Sequence, residues 1–416
     1  MTNTLESYNS STQNEIIDLF CFVILLDIHI FFANAIGRLI LGSSPSDTII
    51  VYAILFFLFI RALPDILDSI DIRCVLICNL IFLFITVSWT VNSKLSGAEY
   101  DSVIKTAYLS VFIGLFLGYY VTDFSLLEKK LCKLSSIVAI EMIVSFFIYH
   151  FVFHTVWGEG AMGLSYKLLV PAVLVLYRLF KKFEIKYLAL SVVLICIMIL
   201  QGSRGPLISL VCFAALYQLL NASENRNKVF KNLVFIIVLS VLFIVYLPNI
   251  LHWIANVSDK FGFQSKFLRV MLEGDFFTPN GRDVVAEGAI DIIRNNPLGK
   301  GFFGERPVLD TYCHNIFLEF LVDFGLLFGS IFSLAYVLLI IKRFRTNNMS
   351  ERMVLCILFC AFLIKLFFSG SFWTETVFFA FLAFLIKSRD SYCQSKGDAQ
   401  TEIGRELISD ETSSYS

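Results

Sequence analysis

Charge is scarce in this sequence. Asp, Glu, Lys and Arg make up 16% of the residues, against about 25% in a typical soluble domain. That poverty, with 57% hydrophobic residues and a mean hydropathy of +0.76, argues against a soluble globule. The net charge of −1 leaves no basic balance, so composition gives no case for nucleic-acid binding. Residues 1–15 contain neither Lys nor Arg, so they lack the positive start of a cleavable signal peptide. The ten cysteines fall mostly inside apolar runs, with no Cys-x-x-Cys and no Cys/His metal spacing. They imply neither a disulfide framework nor a metal site. Cys313 reads as an unpaired thiol.

What is present is a succession of apolar runs near the length of a bilayer crossing, rich in Phe (44 residues). The chain reads as all-α, a polytopic membrane helix bundle of about 12 transmembrane helices, with one large outer loop containing short helices. The spans expected are 16–36, 48–66, 72–91, 103–121, 134–153, 164–180, 185–201, 206–220, 229–248, 315–341, 352–369 and 371–387. This divides the chain into an N-terminus (1–15), nine spans (16–248), the large loop (249–314), three spans (315–387) and a polar tail (388–416). The tail is rich in Ser, Asp and Glu and reads as disordered. With the N-terminus in the cytoplasm, inner loops collect nineteen Lys and Arg and outer short loops five. That asymmetry fixes the orientation and sets 249–314 outside. Asp27, His29, Glu141 and Lys365 fall within spans, where ionisable groups are costly. They face the bundle interior or an interface, and nothing in the sequence pairs them.

Three polar constellations share the outer side. Gln201-Gly202-Ser203-Arg204-Gly205-Pro206 precedes a span. Pro206 suits a first helical turn, and free N–H groups at a helix start favour an anion. Arg204 adds a bidentate fork for phosphate. The plainer reading is an interfacial Arg reaching lipid headgroups. Asn280-Gly281-Arg282-Asp283 opens a segment whose Val285, Ala289, Ile292 and Ile293 share one helical face, as in an amphipathic surface helix. Asn296-Pro297-Leu298-Gly299 ends it. Arg282 is again at a helix start, and the plainer reading pairs it with Asp283. His314-Asn315 then opens a helix returning to the membrane. Histidine suits proton transfer near neutral pH, and a helix N-terminus lowers its pKa by disfavouring the cation. The plainer reading is a structural hydrogen bond. Asn315 can cap the helix or hold a sugar hydroxyl. Glu319 and Asp323 lie one turn apart on the face of Asn315. Two Arg and one His at helix starts on one side suit a pyrophosphate-bearing lipid and one proton transfer.

The order Ser203-Arg204-Gly205, Gly281-Arg282, Gly299–Gly301, His314-Asn315, Asp323-Phe324-Gly325 resembles the O-antigen polymerase and O-antigen ligase superfamily over about residues 185–370. The resemblance implies a metal-independent glycosyltransferase without cofactors, multi-pass in the bacterial inner membrane, with its large loop and active site at the periplasmic face. Its substrate would be an undecaprenyl-diphosphate-linked oligosaccharide. Arg204 and Arg282 would hold the diphosphate and His314 would activate the acceptor hydroxyl, with Asn315, Glu319 and Asp323 at the substrate. Asp323 departs from the Glu of many members, which moves that carboxylate by about one methylene. The Gly-Ser-Arg-Gly form and Ile316-Phe317-Leu318 favour polymerase over ligase. A chain-length regulator protein is the expected partner, though no residue here reveals the contact. A transporter is a third reading, but it would carry internal repeats and midplane polar sites, and no clear repeat is present.

The orientation is tested by labelling with an impermeant thiol reagent. Cysteines introduced near Ser258 are expected to label in intact cells; labelling only after lysis reverses the topology.

Overall fold

The computed structural model describes residues 2–42, 47–68, 70–91, 98–154, 161–201, 204–221, 249, 252, 256 and 282–387. The expected span 229–248, most of 249–281 and the polar tail lie outside the described residues. Every regular element described is helical. Among the described residues, nine α-helices precede the large loop: α1 (Thr2–Ile24), α2 (Leu26–Leu41), α3 (Asp47–Asp68), α4 (Ile72–Val91), α5 (Ala98–Tyr120), α6 (Phe124–Phe147), α7 (Ala161–Lys181), α8 (Ile185–Gln201) and α9 (Arg204–Leu220). The later ones are α10 (Arg282–Asn295), α11 (Arg306–Leu309), α12 (Ile316–Phe344), α13 (Met349–Leu358) and α14 (Thr376–Ile386).

Among the described residues, six helices are long and apolar enough to cross a membrane, or seven if the bent pair α1–α2 forms one span. Three shorter apolar helices, Ile185–Gln201, Gly205–Leu220 and Thr376–Ile386, accompany them. The fold is thus a polytopic helical membrane protein. α3 and α4 turn Phe56, Phe57, Leu80 and Leu83 outward, as lipid-facing helices do. α5 packs on α14 through Gly114 and Gly118. A Cβ on Gly114 would stand 2.3 Å from the Thr376 carbonyl oxygen, and one on Gly118 2.6 Å from that of Ala380. Small residues four apart let two membrane helices approach this closely.

Several expected spans are not continuous α-helices. The first, 16–36, bends by 61° between Ile24 and Leu26. The segment 352–369 passes from α13 into a π-turn at Phe359–Leu363 and a 3₁₀ turn at Ile364–Phe367. The segment 371–387 is helical only from Thr376, after a 3₁₀ turn at Phe372–Thr374. Glu319 on α12 accepts hydrogen bonds from the Ser371 hydroxyl and the Phe372 N–H. These donors serve another element instead of a continuous helix, and hydropathy cannot register that.

The expected span 315–341 becomes the 29-residue α12, broken at Gly325 (φ 78°, ψ 174°). The chain at 297–301 plugs the break. Lys300 N–H donates to the Val322 carbonyl at 2.7 Å, Gly301 N–H to that of Asp323 at 3.0 Å, and Leu326 N–H to that of Pro297 at 2.8 Å. Interrupted backbone groups thereby find partners, as they must where water is excluded. The contact leaves no room for side chains. A Cβ on Gly325 would stand 2.4 Å from the Leu298 carbonyl carbon, and one on Gly299 2.6 Å from the Asp323 oxygen.

Gly325→Ala is therefore expected to destabilise the protein by about 3 kcal/mol or more, read as a lower Tm in detergent. Gly163→Ala meets nothing within 4 Å and serves as the control. Equal melting of the two variants contradicts the backbone splice.

Candidate functional site

The surface helix α10 is amphipathic as its apolar spacing predicts. Ala289 and Ile292 are buried against Cys313, Val322, Leu309 and Leu318. Gly288 allows the approach, since a Cβ there would stand 2.5 Å from Leu309 Cδ2. This seats Arg282, the first residue of α10, beside the segment that enters α12. That segment turns sharply. Asp310 and His314 both adopt left-handed backbone, each with φ of 56°, which non-glycine residues seldom do. Helix α12 begins at Ile316, so His314 precedes the cap instead of occupying the first turn. Asn315 is the cap: its Oδ1 accepts from the Phe317 N–H at 2.9 Å and the Leu318 N–H at 3.3 Å.

His314 is half-buried. Its ring lies 4.2 Å from that of Tyr312, and its Nδ1 is buried with no hydrogen-bond partner among the described residues. Burial, and then the Arg282 guanidinium, hold its pKa below the ordinary 6.5. The direction matches the sequence expectation, but the cause is desolvation and a neighbouring cation in place of the helix dipole. The Tyr312 hydroxyl lies 3.2 Å from Ser369 Oγ, tying the site to the broken segment before α14.

Arg282 also acts electrostatically on Tyr166 of α7. The Tyr166 hydroxyl in turn lies against the start of α9, where a Cβ on Gly205 would stand 2.1 Å from it. The backbone of Arg204 heads α9; its side chain lies outside the described residues. His314, Arg282, Tyr166 and the head of α9 thus form one neighbourhood. Tyr166, Tyr312 and Ser369 carry no motif. Each sits in sequence as an unremarkable polar or aromatic residue, and only packing brings it to the arginine and histidine.

Glu319 and Asp323 face elsewhere. Both are buried, and they hold the turn before α14: Glu319 takes Ser371 Oγ and Phe372 N–H, and Asp323 Oδ2 takes Trp373 Nε1–H at 2.6 Å. A third carboxylate, Glu305, is fully buried. Burial pushes its pKa up to about 7, against the opposing pull of Arg306 and Lys300. Arg306 approaches it to 4.0 Å while lying 4.2 Å over the Phe303 ring. Among the described residues, no group of three His, Cys, Asp or Glu could hold a metal ion. Cys313 is a free, buried thiol.

A cavity of about 860 Å³ opens between α1, α2, α3, α5, α7 and the 361–377 segment. Tyr166 and Ser369 are on its wall, so it borders the neighbourhood of Arg282 and His314. Most of its lining is apolar, including Phe56, Phe59, Phe112 and Phe116. Its charged lining residues are Asp27, Lys167, Lys365 and Glu375.

Residues 189–333 match the family model described as O-antigen ligase. Over that stretch the chain is similar to the O-antigen polymerase and ligase superfamily, whose members are glycosyltransferase-like enzymes. The membrane helices and this similarity support a transmembrane protein of lipopolysaccharide biosynthesis. No curated protein and no solved structure matches the chain. The matched stretch contains Arg204, Arg282, His314, Asn315, Glu319 and Asp323. Tyr166, Ser369 and every other residue lining the cavity lie outside it.

A lowered pKa leaves His314 neutral at pH 7. Its NMR titration, identified by the signal lost in His314→Gln, is expected to have a midpoint below 6.5. Arg282→Gln removes a cation that opposes protonation and should move the midpoint up. A wild-type midpoint at or above 6.5, or one indifferent to Arg282, contradicts the geometry.

Proposed function

We propose that the protein is an O-antigen, or surface-polysaccharide, polymerase. It joins undecaprenyl-diphosphate-linked repeat units by metal-independent glycosyl transfer at the periplasmic face of the inner membrane. The observation that carries this reading is that Arg282, His314 and the head of α9 gather around Tyr166 and Tyr312, one contact from a largely apolar cavity whose wall includes Tyr166 and Ser369. A lipid-linked diphosphate needs both features: an apolar space for the polyprenyl chain and fixed cations where the chain ends.

In the reaction, a hydroxyl of the acceptor unit attacks the anomeric carbon of the donor unit. The carbon–oxygen bond to the diphosphate breaks, and its electron pair leaves with the diphosphate. Arg282 and Arg204 hold that growing charge, which fixed donors in a dry site do effectively. The acceptor hydroxyl loses its proton to the neutral imidazole of His314. A positioned base typically contributes about 10²–10⁴-fold. Asn315 uses its oxygen to cap α12, which leaves its amide N–H₂ for a sugar hydroxyl. Glu319 and Asp323 complete the substrate side by fixing the Ser371–Trp373 turn. Chain length is set with a separate regulator protein.

Ligation of the glycan to lipid A–core is the second reading, and the similarity over residues 189–333 suits either activity. The two differ in acceptor. Purified protein given only lipid-linked repeat units makes polymer if it is a polymerase. It makes none until lipid A–core is added if it is a ligase.

The same assay tests the residues. Lys is a poor substitute for a bidentate Arg, so Arg204→Lys and Arg282→Lys should each slow transfer about 30- to 1,000-fold. His314→Gln should abolish product while donor binding persists. Turnover of His314→Gln within a few-fold of wild type reduces the histidine to a structural role.

A further inference from the structure

One ion pair has no part in the site described so far. Lys365 Nζ bonds the carboxylate of Glu375, and both side chains are largely withdrawn from solvent, at 26% and 15% exposure. Both line the cavity. The pair joins the two sides of the break between α13 and α14, and Glu375 makes no capping bond with its side chain to the helix it precedes. A salt bridge in so apolar a setting is a weak source of stability, because desolvation offsets much of its attraction. Apolar residues could close this break as well. The charges therefore call for another explanation.

Their position supplies it. The Lys365 carbonyl accepts from the Ser369 N–H at 2.6 Å, so Lys365 lies one turn from Ser369. Ser369 meets the Tyr312 hydroxyl at 3.2 Å, and Tyr312 lies against His314. Lys365 is thus on the cavity wall one turn of chain from Ser369, whose contact with Tyr312 leads to His314. The other charged residues of the cavity differ from it. Lys167 is directed over the Phe31 ring at 5.6 Å, and Asp27 repels anions.

We propose that Lys365 is an anion-binding residue of the cavity, positioned to take a diphosphate oxygen of the lipid-linked donor, and that Glu375 is its resident counter-ion, exchanged for the ligand. In the empty cavity the carboxylate keeps the ammonium paired. An entering diphosphate competes with Glu375 for Lys365 and releases the carboxylate. This deepens the proposed reading of the site and rests on it. Lys365 is a binding residue: it helps hold the donor and takes no part in bond making.

The competition gives the two partners opposite effects. Binding is measured on the full-length protein in nanodiscs, with undecaprenyl diphosphate, undecaprenol and inorganic diphosphate as probes. Lys365→Met should weaken undecaprenyl diphosphate binding about tenfold. Glu375→Gln removes the competitor and should tighten it about threefold. The double variant Lys365→Met/Glu375→Gln leaves no buried charge unpaired and so guards against misfolding; it should bind more weakly than Glu375→Gln. Undecaprenol should bind all four proteins alike, since it lacks the anion. Weak inorganic diphosphate binding with the same rank order means that the anion alone is recognised. If Glu375→Gln binds no tighter than wild type, or if Lys365→Met binds as well, the exchange is overturned and the pair is a structural staple. If wild type itself distinguishes no diphosphate from undecaprenol, the proposed reading of the whole site fails first.

Discussion

The splice between residues 297–301 and the break in α12 is the constraint on which the rest depends. A membrane helix satisfies its own backbone, and a break inside it exposes N–H and C=O groups that cannot be left unpaired in a dry setting. Here the loop supplies them: Lys300 and Gly301 donate upward and Pro297 accepts. The exchange needs glycine on both sides, because Gly299 and Gly325 stand too close for any Cβ. It also ties the large loop to the bundle. The short path from Gly301 to Asn315 then has to fold back over α12, and its left-handed residues at Phe303, Asp310 and His314 make that return.

Burial of carboxylates follows from the same folding back. Glu305, Glu319 and Asp323 are all enclosed. Two of them accept hydrogen bonds from the turn at Ser371–Trp373, which holds the segment after α13 away from regular helix. The aromatic cluster of Phe302, Phe303, Phe324, Phe372 and Trp373 packs around these polar contacts and excludes water from them. A hydrogen bond in such surroundings is stronger, and an unpaired group more costly, than in water. The turn is therefore rigid where it borders the cavity, and Ser369, just before it, is a fixed partner for Tyr312.

The charges inside the bundle are organised in pairs that sequence proximity does not suggest. His29 Nδ1 and Glu141 lie 2.9 Å apart across α2 and α6, with the His29 ring stacked on Phe22. Lys365 meets Glu375 across the break before α14. At the opposite end of α5, Tyr119 donates to Asp71, whose carboxyl is held below its usual pKa range first by that bond and then by the Arg73 N–H. Lys387 donates to the Tyr119 carbonyl. Each pair joins distant parts of the chain.

Much of this architecture is local and was legible in the residues alone. Apolar runs of bilayer length mark most of the helices. The 3.6-residue spacing of Ala289, Ile292 and Ile293 marks the surface helix, Asn296-Pro297 its end, and Asn315 the cap of α12. These signals act within one or two turns of backbone, so the order of residues determines them. The breaks at Leu25, Gly325 and 359–375, the partners of His29 and Lys365, and the meeting of Tyr166 with Arg282 were decided by tertiary structure. A broken helix survives only where another segment takes up its free backbone groups, and an ion pair only where packing brings two side chains together from far apart. Hydropathy and spacing record how each segment meets its solvent; they carry no trace of which distant segment will complete it.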